Sequence, residues 1–87
     1  MPVVWIPALL RDLTGGTDQV TVPGATVRQV IEQIEKRFPG MQERLCDGDR
    51  LRPSIVVVVD GAVSRQRMRQ VLADTSEVHF LPTIGGG

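Results

Sequence analysis

One stretch constrains the fold more than any other: "TVRQVIEQIEKRFPG", Thr26 to Gly40. Val27, Val30, Ile31, Ile34 and Phe38 recur at the spacing that places side chains on one stripe of an α-helix. Arg28, Gln29, Glu32, Gln33, Glu35 and Lys36 occupy the rest of its surface. Thr26 stands where a hydroxyl can accept from first-turn amides, and Gln29 follows at capping-box spacing. Pro39 bars the preceding residue from α geometry and Gly40 tolerates the exit, so the helix stops there. Such a helix must bury its apolar stripe, here by packing one face onto a sheet.

The flanking segments supply strands. "VVWIP", Val3 to Pro7, is apolar and β-branched, and predicts a strand buried on both faces with Trp5 in the core. "TGG", Thr14 to Gly16, marks a turn, and "QVTV", Gln19 to Val22, alternates as a half-buried partner strand. Together they read as a hairpin with a long loop. After the helix, "MQERLCDGDRLRP" is polar and turn-rich, with a tight loop at "CDGD". "SIVVVVDG", Ser54 to Gly61, is a strand ending in an Asp-Gly turn. "AVSRQRMRQVLADTS" admits two readings, because Met68, Val71 and Leu72 have helical spacing in a segment short enough to be one helical turn inside a connector. "SEVHFLP", Ser76 to Pro82, closes the pattern as a strand with Val78 and Phe80 on one side. The order predicts a small α+β domain.

Composition narrows the function classes. Ten basic and ten acidic side chains cancel in 87 residues, which argues against a nucleic-acid footprint. Cys46 is the one cysteine, so no intramolecular disulfide or cysteine-rich metal cage forms, and a core must come from packing by the 41% hydrophobic residues. The longest apolar run, Ile55 to Val59, is too short to span a bilayer, and no basic-then-apolar leader is visible. Cytoplasmic residence is expected, with no membrane partner.

Three stretches carry a resemblance: "IPALLRDLTGG" near the start, "PGMQERLCD" in the middle and "HFLPTIGGG" at the end. They resemble the ubiquitin-like sulfur carriers of the ThiS/MoaD family, the small β-grasp partners of thiamine, molybdopterin and cysteine biosynthesis. Similarity is greatest to the cysteine-biosynthesis carriers of actinobacteria and covers nearly the whole chain. The resemblance implies a β-grasp, ubiquitin-like fold over residues 1–81 and a flexible glycine tail over 82–87, rooted at Pro82. In this register Gly86 and Gly87 match the family diglycine, while Gly85 replaces a slightly larger residue. The connector from Arg65 to Thr75 departs most from the family pattern.

What the resemblance implies chemically is delivery rather than catalysis. A carboxylate is a poor electrophile, so Gly87 would first be adenylated by an E1-like enzyme that uses ATP, the carrier itself binding no cofactor. Sulfur transfer would then leave a C-terminal thiocarboxylate, with Gly85 and Gly86 threading a narrow channel because they lack side chains. The expected acceptor is a PLP-dependent cysteine synthase, followed by a metallopeptidase that releases cysteine. Alternatives within the resemblance are a thiamine-thiazole carrier or a molybdopterin synthase small subunit whose tail enters the large subunit. Beyond them stand a ubiquitin-like modifier and a β-grasp binding module with an inert tail.

Other residues invite plainer readings. Cys46 has no histidine or cluster of bases near it in sequence and reads as a buried or tolerated thiol. His79, the single histidine, alternates with Val78 and Phe80 and should face solvent or a partner, with no metal constellation around it. Asp47 and Asp49 flank a turn glycine and fall short of a calcium loop. Arg65, Arg67 and Arg69 alternate as a solvated face, and "TGG" lacks the lysine of a phosphate loop.

Overall fold

A computed structural model describes residues 1–82. The helix expected from the apolar stripe spans Val27–Arg37 (α1). The Thr26 hydroxyl accepts from the Gln29 amide at 3.3 Å, and the Gln29 side chain accepts from the amide of Ala25 at 2.8 Å. One first-turn donor and the amide just before the cap are thereby satisfied, as in a capping box displaced by one residue. Lys36 and Arg37 sit in the last turn, where cations complement the helix dipole.

The polar stretch after α1 contains a second helix that the sequence reading had as turns alone. Met41–Leu45 forms a short α2, with Met41 and Leu45 fully buried one turn apart. Its start is held from α1: the Glu35 carboxylate accepts from the Gly40 amide at 3.1 Å and from the Gln42 amide at 2.8 Å. A carboxylate at a helix N-terminus is favourably placed for both the free amides and the dipole. Five residues are too few to reveal a helical period, so the tertiary contact from Glu35 decides the element. The tight loop at Gly48 does form, as the turn between Cys46–Asp47 (β3) and Arg50–Leu51 (β4).

The main sheet has five strands: Val3–Trp5 (β1), Gln19–Thr21 (β2), Ile55–Val59 (β5), Ala62–Val63 (β6) and Glu77–Pro82 (β7). Their spatial order is β2-β1-β7-β5-β6, so the first and last strands lie side by side at the centre. They run parallel, with Val4 opposite Val78, while every other pair in the sheet is antiparallel. The β1–β2 hairpin, the Asp60–Gly61 turn and the inward side of β7 all agree with the sequence reading. The hairpin loop carries a 3-10 turn over Ala8–Leu10, and Gly15 and Gly16 adopt φ of +65° and +91°, where a Cβ would strain the backbone. In the ambiguous connector the helical turn is what forms, a 3-10 turn over Arg67–Arg69. Met68 and Leu72 point inward, whereas Val71 is exposed and bridges to Thr26 at the edge of α1.

The core lies between α1 and one sheet face. Val4, Val57, Val78 and Phe80 meet Val27, Val30, Ile31 and Ile34, each at most 1% exposed. Burying such side chains contributes about 1.5–3 kcal/mol each. Because helices cover only this face, β1 is not buried on both sides as its composition suggested: Val4 is buried, while Val3 and Trp5 are half-buried. Trp5 therefore belongs to the opposite, open face rather than to the core. A run of β-branched residues does not distinguish a covered face from one left apolar for another reason.

Candidate functional site at the tail root and the open sheet face

The site is built around β7. This strand is bonded on both sides, to β1 and to β5, and ends at Pro82 opposite Ile55. Proline has no N–H to donate, so the ladder loses a donor at this position. A chain leaving Pro82 starts from the centre of the sheet, not from an edge. Gly85, Gly86 and Gly87 lie outside the described residues.

Beside Pro82 is an apolar groove of about 410 Å³ lined by Pro7, Leu9, Leu10, Ile55 and Leu81, with Arg44 at its rim. Leu9 is 75% and Leu81 46% exposed. The Arg44 guanidinium donates to the Leu9 carbonyl at 3.4 Å, a long bond that leaves its other donors available.

Cross-strand register generates the open face. Trp5, His79, Val58 and Val63 form one row across β1, β7, β5 and β6, and Leu81 pairs with Val56 in a second. Val63 is 65% exposed. His79 faces outward as its alternation predicts, and its ring stacks on Trp5. Sequence reasoning missed Leu9 and Val63 as surface features. Only the exposed half of the Leu9–Leu10 pair could have hinted at Leu9, since Leu10 is buried.

The remaining singled-out residues lie elsewhere. Cys46, at the end of α2, is buried, and burial pushes its thiol up despite the opposing influence of Arg28 and Arg52. Asp47 and Asp49 belong to the β3–β4 ribbon, Asp49 at its turn. Arg65 and Arg69 are exposed, but Arg67 is not part of a solvated face. It is half-buried at φ +53°, and its Nη2 donates to the carbonyls of Arg52 at 2.8 Å, Ile55 at 3.0 Å and Leu51 at 3.4 Å. Charge alternation carries no information about backbone acceptors, which only folding brings together. Among the described residues no three His, Cys, Asp or Glu side chains converge to hold a metal.

A single main helix on a mixed sheet, with the first and last strands parallel at its centre, defines the β-grasp class, to which ubiquitin-like proteins belong. Within that class the chain belongs to the ThiS family, whose model matches residues 4–87. It is 33% identical to the sulfur carrier protein CysO of Mycobacterium tuberculosis, over 97% of this chain and 96% of the relative. A chain in the crystal structure of an Amycolatopsis orientalis BexX/CysO complex matches it with TM-score 0.92 and 32% identity, covering 100% of both chains. The solution structure of small archaeal modifier protein 1 from Methanosarcina acetivorans matches with TM-score 0.81 and 25% identity, covering 99% of this chain and 95% of the other.

Proposed function

We propose that the chain is a sulfur carrier of the cysteine-biosynthesis type, charged at Gly87. One observation carries this reading: the family match and the likeness to sulfur carriers extend along nearly the whole chain, and the family match runs through Gly86 and Gly87. In the first step an E1-like partner brings the Gly87 carboxylate to the α-phosphorus of ATP, and pyrophosphate leaves. Sulfide-level sulfur then attacks the acyl carbon, AMP leaves, and a thiocarboxylate remains. A PLP-dependent synthase holding an activated serine accepts the sulfur, and a metallopeptidase frees cysteine and restores the glycine end. Cytoplasmic residence fits a reaction that consumes ATP, and none of the helices of the described residues is long and apolar enough to cross a membrane.

The geometry at Pro82 supports delivery. The five residues beyond it span at most about 18 Å, at roughly 3.3–3.6 Å per residue. An activating enzyme must therefore sit against the body of the domain while it works on Gly87. The apolar groove beside Pro82 and the Trp5–His79–Val58–Val63 row offer surface for that contact. Gly85 and Gly86 add no side chain to obstruct a narrow channel.

The likeness to an archaeal modifier protein favours a second reading, in which the activated end forms isopeptide bonds with lysines. Intact mass measurement after incubation with an E1-like enzyme, ATP and sulfide separates the two. A gain equal to exchange of one oxygen for sulfur supports the carrier. Lysine-linked conjugates support the modifier, and an unchanged mass sinks both.

A further inference from the structure

The chain has no net charge, yet its arginines are not evenly spread. Arg28 from α1, Arg50 from β4, and Arg67 and Arg69 from the 3-10 turn line one open groove of about 380 Å³, with Asp49 the single carboxylate among its lining residues. Among the described residues the only close ion pair is Met1 with Asp74, so none of these arginines is held in a direct salt bridge, and four cations stand against the one carboxylate of Asp49 in the lining. Arg28 donates to the Asp49 backbone carbonyl at 3.0 Å, which orients it and leaves most of its five N–H donors free. Arg50 and Arg69 are exposed and come from different elements.

The groove is held in shape. Arg67 ties the 3-10 turn to the carbonyls of Leu51, Arg52 and Ile55, and Ser64 Oγ accepts from the amides of Gln66 and Arg67 at 3.2 Å each. These contacts also explain why a non-glycine residue persists at φ +53°. Through Ile55, the registered partner of Pro82, the groove shares its footing with the root of the tail.

We propose that this arginine groove docks an acidic, extended segment of a partner protein. Guanidinium forks at separated points suit carboxylates spaced along a peptide, each held by paired N–H donors. A compact anion would need donors that converge, and here the amides of Gln66 and Arg67 are already engaged by Ser64. A cationic groove of this kind raises the encounter rate with an acidic partner, an effect that salt screens. The site is argued from charge and geometry and stands whether or not the chain carries sulfur.

The test is an NMR titration of the full chain with a synthetic hexaglutamate peptide at low and at physiological salt. Amide shifts should concentrate at Arg28, Arg50, Met68 and Arg69 and weaken with salt. Arg50→Glu with Arg69→Glu should lower affinity by about tenfold or more, on the order of 1.4 kcal/mol. The control Arg11→Glu with Lys36→Glu makes the same charge change elsewhere and should leave affinity within about twofold. Dispersed amide spectra verify that both variants fold. Shifts scattered over the surface, equal weakening in both variants, or no binding at low salt would overturn the proposal. So would inorganic triphosphate occupying the same residues more tightly than the peptide, which would make the groove a small-anion site.

Discussion

Trp5 and His79 stack face to face across the parallel pair β1–β7, with ring centroids 5.4 Å apart and planes 7° from parallel. They lie on the sheet face that no helix covers. The Trp5 Nε1 atom is buried and has no hydrogen-bond partner among the described residues. The contact that orients the indole is its stack on the His79 ring. The pair makes an aromatic platform on the open face, with His79 on the strand that ends at Pro82.

Trp5 is the chain's one tryptophan, so its fluorescence reports this stack directly. His79→Ala should change the emission of Trp5 while costing no more than about 1.5 kcal/mol of stability. Unchanged emission would mean that the rings do not stack in solution.

A charge on the open face should block docking without harming the fold. Val63→Glu and Leu81→Glu each replace an exposed apolar side chain. With the E1-like partner, KM for charging should rise by about tenfold or more in at least one of them, while Tm is unchanged. Wild-type kinetics in both variants would remove the open face from the encounter.

The glycine end should tolerate almost no added bulk. A residue such as tryptophan appended after Gly87, or Gly86→Val, should abolish ATP–pyrophosphate exchange with the activating enzyme and leave the urea midpoint where it was. Removal of Gly87 is the subtler case, because Gly85 and Gly86 still form a diglycine. Full activity of that deletion would show that reach is not closely matched to the partner.

Cys46 should behave as an inert core thiol. Burial holds its folded-state pKa above that of the unfolded chain, so the thiol form is favoured by folding. Its contribution is present at neutral pH and is lost as pH rises from the unfolded value through the folded one. Alkylation by iodoacetamide near neutrality should be slow in the native protein and fast in urea. Rapid native alkylation would place the sulfur at the surface.

Arg67 should matter to stability despite its charge. Arg67→Met keeps the aliphatic stem and removes the donor to three carbonyls, and should cost about 1–3 kcal/mol in urea unfolding. Arg65→Met and Arg69→Met, at exposed positions, should each fall within about 0.5 kcal/mol of wild type.

How far the chain could be read in advance differs from residue to residue. Val27, Val30, Ile31 and Ile34 declared α1 because a periodic stripe and a cap signal the same element at once. The inward side of β7 was legible in Val78 and Phe80 for a similar reason, a period of two. Met41–Leu45 was not legible, since the amides at its start are accepted by the Glu35 carboxylate of another element. Arg67 looked like its neighbours Arg65 and Arg69, and only the meeting of β4, β5 and the 3-10 turn supplied it with acceptors.

By itself the sequence determined the elements whose information is local: the stripe of α1, the alternation of β7, the Asp-Gly turn, and the run of glycines on which the proposed chemistry rests. Tertiary structure alone decided which face of β1 is covered, where Trp5 lies, and that Pro82 ends the central strand rather than an edge strand. The reason is physical. Periodicity states which side chains share a face, but whether that face meets a helix or water depends on contacts between residues far apart in the chain.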